Sequence, residues 1–319
     1  MATEPKTLQE AVLFYADPDN CLSFLMARRP EWKDGVVCSV CGSKNVAFLK
    51  SRRLWQCKTR HPKAQFSIKV GTIFEDSPIG LDKWLVAMWM IANCKNGISS
   101  WELHRALGVS QKAAWFMLQR LRLAMQDDLT GGKLGNEVEI DETFVGGKAR
   151  NMHKSKRARV ITGTGGKDKT IVMGMLERGG NVRAMVVDGR RKKELQKNIQ
   201  EHVEAGAAIF TDELKSYDGL EDSFKHQVIN HAVEYANGNV HTNGMENFWS
   251  LVKRQLHGTY ISVEPFHLFR YIDEQAFRFN NRKDMNDSDR FNALAARIVG
   301  KRLTFAEVTG KVDKKPEDN

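Results

Sequence analysis

Four residues near the N-terminus restrict most strongly what this chain can fold into. Cys38 and Cys41 form a C-x2-C pair, fifteen residues separate Cys41 from Cys57, and three more separate Cys57 from His61. Two ligand pairs joined by a loop of that length present four donors to one tetrahedral Zn2+, because each turn supplies two of them. Four protein ligands fill the coordination sphere, so such an ion is structural and has no open position for a substrate. A segment of roughly forty residues buries too little surface to be stable alone, whereas structural zinc contributes on the order of 10 kcal/mol of apparent folding energy. Cys21 and Cys94 fall on helical patterns and read as core residues. Five cysteines, an odd number with three in one cluster, fit a metal site in a reducing compartment better than a disulfide framework.

The rest of the chain divides by pattern. Residues 7 to 29 predict two short helices around the turn ADPDN, where Asp17, Asp19 or Asn20 can cap the second. Residues 36 to 74 carry the cysteines among short β-rich pieces such as RRLWQC and AQFSIKVGTIF. Residues 81 to 126 read as helical, with Trp84, Met88, Ile91 and Ala92 at helical spacing and a break at CKNGISS. GGKLGNE, residues 131 to 137, is a glycine-rich hinge and the main expected boundary. Beyond it VEID, KTIVMGML, VRAMVV and AAIFTD alternate with turns or the helical KKELQKNIQEHVEA, a mixed α/β pattern. From about 242 the pattern is mainly helical, and the charged tail KVDKKPEDN is expected to be disordered.

Within the helical region, ISSWELHRALGVSQKAAWFMLQRLRLAM predicts a helix capped by Ser99 or Ser100, a turn at Gly108 and a second helix capped by Ser110. Leu103, Ala106, Leu107, Val109, Ala114, Met117, Leu118 and Leu121 would hold the pair together. Read as a helix-turn-helix, it turns Gln111, Lys112, Trp115 and Gln119 outward from a recognition helix and gives Arg120 and Arg122 phosphate contacts. A plain helical hairpin fits the same pattern; a neighbouring metal module and a basic chain favour the DNA reading.

Three acids carry the chemistry. Asp141 in EVEIDETFVGG and Asp212 in AAIFTDELKSYDGL end apolar runs that read as strands, while Glu246 in HTNGMENFWSLVKR begins a helix. Lys253 follows seven residues later, two turns up the same helical face. Taken singly, each has an ordinary explanation: a solvated strand end, a turn acid, or the far half of a capping box with Asn243 as N-cap. Brought together, two carboxylates 4 Å apart repel by roughly 4 kcal/mol at an effective dielectric near 20, a cost that bound Mg2+ reverses in sign. Such a trio suits divalent cations acting on phosphodiester bonds. His231 and His241, just before the third acid, suit packing or a hydrogen bond to DNA or a carboxylate. GTGGKDK fails the phosphate-loop spacing because position 161 is Ile, and reads as a turn.

The order strand acid, strand acid, helix acid is similar to that of ribonuclease-H-like nucleotidyl transferases. CSVCG, QFSIKVGTIFEDSPI, IDETFVGGK, TDELKSY and HTNGMENFWSLVKRQLHGTY, followed by EPFHLFRYIDEQAFRFNNR, closely resemble the bacterial insertion-sequence transposases with an N-terminal zinc ribbon and a DDE catalytic domain (the insertion sequence 1595 family), over residues 18 to 300. The resemblance implies that Asp141, Asp212 and Glu246 bind two Mg2+ (or Mn2+) ions and that Lys253, with Arg254 beside it, contacts DNA near the scissile phosphate. Members vary at the third position, where asparagine can replace the acid, and Asn243 lies one turn before Glu246. Many relatives close the ribbon with a second C-x2-C where this chain has Cys57 and His61. The expected fold is multidomain: a helical lead-in (1–30), a zinc ribbon (31–76), a helix-turn-helix bundle (77–130), an α/β ribonuclease-H-like catalytic domain with a mixed sheet (131–300) and a tail (301–319).

The implied activity is DNA transposition: binding the terminal inverted repeats of an insertion sequence, then metal-dependent cleavage and strand transfer. A DNA-binding regulator with a relic catalytic domain predicts damaged acids, and all three are present; a nuclease that cleaves without joining is the other alternative. Charge agrees with a polyanionic partner, since 49 Lys and Arg against 39 Asp and Glu leave a net charge of +10. The runs KARNMHKSKRAR, which includes Lys148 and Arg150, and GRRKKELQK would line the path of double-stranded DNA. No apolar run approaches a membrane span and MATEPKTLQE lacks the signal-peptide pattern, so a cytoplasmic protein without a membrane partner is expected. Synapsis of two element ends implies a homo-oligomer when assembled on DNA.

Overall fold

A computed structural model describes residues 4–126, 132–147, 153–160, 169–229 and 241–311. Two helices open the chain, α1 (Leu8–Tyr15) and α2 (Pro18–Met26), followed by three short strands, β1 (Val46–Leu49), β2 (Leu54–Cys57) and β3 (Gln65–Phe66). Then come α3 (Leu81–Asn93), α4 (Ser100–Leu107) and α5 (Gln111–Met125). The α/β portion runs β4 (Glu137–Val145), α6 (Lys154–Val160), β5 (Thr170–Glu177), β6 (Val182–Val187), α7 (Lys192–His202), β7 (Ala208–Asp212), β8 (Lys225–Ile229), α8 (Asn243–Arg254) and α9 (Leu268–Asn280). Two short helices follow in the C-terminal segment, α10 (Asp287–Ala295) and α11 (Phe305–Val308). These elements form two compact units, Met1–Met125 with Asp284–Asn319, and Gln126–Lys283.

In the first unit local capping defines the helix starts. Thr7 and Glu10 cap α1 reciprocally, as Ser99 and Glu102 do for α4, and Asp17 caps α2 ahead of Pro18. α3 is apolar on nearly every side, from Trp84 to Trp89 and again at Ile91 and Ala92, and is correspondingly enclosed. Phe291 of α10 packs against Tyr15, Phe24 and Trp89 with ring centroids 5.7, 5.2 and 5.1 Å away. That aromatic cluster explains why residues 284 to 300, assigned from the sequence to the α/β domain, pack with the N-terminal unit.

α4 and α5 meet at Gly108, whose left-handed backbone (φ 60°) ends α4, while the Ser110 hydroxyl accepts from the Ala113 amide at the start of α5. Leu103, Ala114, Met117, Leu118 and Leu121 are buried between and beneath them, but Ala106 is exposed. Three sequence expectations on α5 are corrected, the first being Gln119, which was expected to face outward and is fully buried. Arg120 and Arg122, expected to reach phosphate, are 4% and 1% exposed. Arg120 donates to the carbonyls of Ile73 (3.0 Å), Glu75 (2.7 Å) and Leu303 (3.0 Å), so it serves the interior of this unit. α5 is enclosed on more than its apolar stripe, because the C-terminal segment returns over it, and a single sequence window cannot reveal that. Arg120→Ala is expected to destabilise the protein by about 3 kcal/mol, since three buried carbonyls lose their donor. It should leave the salt dependence of DNA binding unchanged, which denaturant unfolding and salt-titrated binding would check.

The second unit is built on a mixed five-stranded sheet in the order β6-β5-β4-β7-β8. β4 is the central strand, antiparallel to β5 and parallel to β7, and β8 extends the parallel side. Successive residues of β4 face opposite sides. Val138 and Ile140 pack with Leu195 and Ile199 of α7, while the other face lies under Met245, Phe248 and Trp249 of α8 and Ile272 and Phe279 of α9. The four expected strands are present; β8 and a π-helical turn, Gln255–Tyr260, after α8 were not anticipated. Among the described residues no helix is long and apolar enough to cross a membrane.

Candidate active site and metal centre

In the first unit the β1-β2-β3 meander brings the four sequence-predicted zinc ligands together. The donor atoms of Cys38, Cys41, Cys57 and His61 all lie within 4.8 Å of one another. Cys38 Sγ is 3.4 Å from His61 Nε2 and Cys41 Sγ is 3.7 Å from Cys57 Sγ. Tetrahedral zinc with ordinary Zn–S and Zn–N bonds sets neighbouring donors about 3.5 to 3.8 Å apart, so the set fits that ion. His61 Nδ1 donates to the Pro62 carbonyl at 2.6 Å, which fixes the tautomer and leaves Nε2 for the metal. Burial opposes ionisation of Cys57, but hydrogen bonds from His61 and Thr59 outweigh it and bring the thiol down to about 6. The Pro62 carbonyl and then Cys57 push His61 up to about 9. Trp55 and Phe66 form the adjoining core, with Trp32 packed 5.1 Å from Trp55.

In the second unit Asp212 ends β7, whereas Asp141, expected to end a strand, lies in the middle of β4, whose ladder with β5 continues to Val145. The parallel register pairs Glu139 of β4 with Phe210 of β7, and each acid lies two residues further along. Glu246 is in the first turn of α8, on the face of the sheet that Asp141 also faces. Asp141 Oδ2 accepts from the Trp249 indole at 3.0 Å and Oδ1 from the Glu142 amide at 2.8 Å. Asp212 Oδ1 accepts from the Leu214 amide at 3.2 Å. Gly174 of β5 pairs with Asp141, and a Cβ there would collide with Met245 and Trp249, so α8 sits directly on the sheet at the acid.

Electrostatics links the three acids. Burial raises Asp141 to about 6, the charges of Asp212 and Glu246 add to the rise, and the Glu142 amide and Trp249 oppose it. Glu142, on the opposite face of β4, accepts from the Tyr217 hydroxyl. Burial raises it to about 8, with Asp212 and Asp141 adding to the rise and Arg190 opposing it. Carboxylates are the oxygen donors that a hard divalent cation takes, but among the described residues the only group of three or more donors within ligating reach of one another is Cys38, Cys41, Cys57 and His61. Because Asp141 and Glu142 have folded-state values above their ordinary ones, the stability they contribute is present below about pH 4 and is lost as pH rises through 6 and 8. The metal-free protein is therefore expected to melt lower at pH 8 than at pH 5, and Glu142→Gln to flatten that slope; thermal melts across the range check both.

The expected DNA contacts are dispersed. On α5, Lys112 is exposed with its ammonium 4.7 Å above the Phe305 ring, Gln111 is half-buried and donates to Ser100 Oγ at 2.8 Å, and Trp115 is half-buried. Lys253 and Arg254 are exposed at the end of α8. Lys148, Arg150 and His231, with nearly all of GTGGKDK and of the charged tail, lie outside the described residues. His241 has a carboxylate partner, Glu139, at 3.3 Å. Sequence reasoning missed Trp249, whose signal was proximity, since it is one turn from Glu246; Tyr217, read from the sequence as a packing residue or DNA contact, is buried.

Residues 133–280 match the ISXO2-like transposase domain family, and residues 17–59 match the transposase zinc-ribbon domain family. The chain is 29% identical over 238 residues to an uncharacterised protein in transposable element ISH50 of Halobacterium salinarum, covering 70% of this chain and 79% of that protein. It is 35% identical over 101 residues to an uncharacterised transposase-like protein of Haemophilus influenzae, covering 31% of this chain and 81% of the relative. With the zinc-ligand cluster at one end and the mixed sheet with its acids in the other unit, this chain belongs to the family of ISXO2-like transposases that carry an N-terminal transposase zinc ribbon.

Proposed function

We propose that the protein binds the terminal inverted repeats of its own insertion sequence and catalyses metal-dependent DNA cleavage and strand transfer. The observation that supports this reading is that Asp141 and Asp212 lie level on adjacent parallel strands while α8, with Glu246 in its first turn, packs on Asp141 through Trp249. A ribonuclease-H-like fold is supported by the sheet order: numbered from β4, the five strands run 3-2-1-4-5, with an antiparallel and a parallel half. The α4–α5 pair suits a helix-turn-helix with Lys112, Gln111 and Trp115 toward DNA.

When bound at Asp141, Asp212 and Glu246, Mg2+ or Mn2+ supplies activation of a water or 3′-hydroxyl and charge stabilisation at the leaving oxygen. The chain's own groups do the positioning. Trp249 and the Glu142 amide fix both oxygens of Asp141, the Leu214 amide fixes Asp212, and α8 presents Glu246. Lys253 and Arg254, exposed two turns along α8, hold the phosphate backbone. The basic run at Arg190 lies near enough to Glu142 to stabilise its charge, which suits a strand passing the acids. Two element ends in one reaction require at least a dimer on DNA, working in the cytoplasm.

The test is an assay with Mg2+ on duplex DNA that carries the repeats flanking the coding region. Joined products establish a transposase in action. Cleavage without joining assigns a nuclease, and specific binding without cleavage assigns a regulator.

A further inference from the structure

Glu139 is the most thoroughly buried acid near the site, at 1% exposure, and has no part in the chemistry above. It lies on β4 two residues before Asp141 and faces the same side. A buried carboxylate is costly unless every lone pair finds a donor. Its Oε2 accepts from the Met245 amide at 3.0 Å, and its Oε1 accepts from Arg178 Nε at 3.0 Å and lies 3.3 Å from His241 Nδ1. Met245 is in the first turn of α8, immediately before Glu246. The N-cap residue of α8, Thr242, makes no side-chain cap hydrogen bond, so a carboxylate from a different element caps this helix.

Arg178 completes the arrangement. Its guanidinium donates to the His241 carbonyl at 2.8 Å and to Glu137 at 3.2 Å, and its flat face lies 3.9 Å from the ring of Phe210 on β7. One side chain thus touches the strand of Asp141, the strand of Asp212 and the start of the helix of Glu246. The fit is tight: a Cβ on Gly244 would lie 2.7 Å from Glu139 Oε2 and 2.5 Å from Leu176.

We propose that Glu139 and Arg178 are positioning residues that aim Glu246 at the cation site by clamping the first turn of α8 to the central strand. The inference rests on the function proposed above. A helix start displaced by about 1 Å carries Glu246 with it, and misplacement of that size can cost a hundredfold in rate.

The experiment measures Mn2+ binding to the full-length protein without DNA, by calorimetry, and then DNA affinity and cleavage. The proteins are native, Asp212→Asn, Glu139→Gln and the double variant Glu139→Met with Arg178→Met. Glu139→Gln keeps an acceptor for the Met245 amide, and the apolar double variant removes both buried charges and strips only the half-exposed Glu137 of its partner, so both are expected to fold. The expected result is Mn2+ binding weakened about tenfold or more in both clamp variants, with DNA affinity unchanged and cleavage recovered at raised Mn2+. Gly244→Ala, which alters no charge, should behave the same way. Clamp variants that fold, bind Mn2+ and cleave as the native protein does would overturn the proposal, as would unfolding of the double variant, which assigns the pair to stability alone. Native protein whose Mn2+ binding is absent or insensitive to Asp212→Asn would instead remove the catalytic reading, and the clamp with it.

Discussion

Asp141→Asn and Asp212→Asn are each expected to lower cleavage and strand transfer by a thousandfold or more while DNA binding persists. Each replaces a charged oxygen donor by a neutral amide of the same shape, and loss even of a group that only orients a metal ligand costs ten- to a hundredfold. The two effects should not add, because the acids act as one unit: the double variant should be about as inactive as either single one. Folding should survive. At Asp141 the wild-type charge is itself disfavoured by burial and by Asp212 and Glu246, so the neutral amide relieves repulsion while giving up one of the hydrogen bonds from Trp249 and the Glu142 amide. DNA affinity should be equal or slightly tighter, since a negative charge leaves the path of a polyanion. Gel assays of cleavage and joining beside a filter-binding titration separate these readouts, and a variant retaining a tenth of native activity would exclude that acid from the site.

Removing zinc should produce the other large effect. The ribbon has few core side chains, chiefly Trp32, Trp55 and Phe66, and the ion supplies on the order of 10 kcal/mol that they cannot replace. Chelation, or Cys38→Ser, is expected to unfold the segment around β1–β3, shifting tryptophan emission to the red as Trp32 and Trp55 meet water. The second unit should keep its sheet and its thermal transition. Zinc needs deprotonated ligands and competes with protons for them, so acidification should release the metal, at a pH below that at which the metal-free thiols titrate. Specific recognition of repeats should fall with it. Unchanged fluorescence after complete chelation would mean that the segment folds without the ion.

The legible parts of this chain were those with short-range chemical signatures. The zinc ligands declared themselves by spacing, four strands by apolar runs, and the α4–α5 pair by Ser99, Gly108 and Ser110; the strand of Asp141 was legible, but not that it runs four residues past the acid. What sequence did not reveal was decided by tertiary enclosure. Arg120 looks like a surface cation in a window of α5 and is buried only because Ile73, Glu75 and Leu303 surround it. Glu139 reads as the polar half of an alternating strand, yet α8 covers it. β8, KHQVI, has two apolar residues in five and is a strand because β7 offers it an edge.

The return of Phe291 to the aromatic cluster around Tyr15, Phe24 and Trp89 has a consequence for how the protein is made. The N-terminal unit cannot close until the ribosome has also delivered the whole of Gln126–Lys283, an interval on the order of ten seconds at ordinary elongation rates. The α/β unit, a continuous segment, can finish folding first, although it is translated second. A nascent or prematurely terminated product ending near Met125 would expose α3 with its tryptophans uncovered, a substrate for chaperones and proteases before it could compete for DNA.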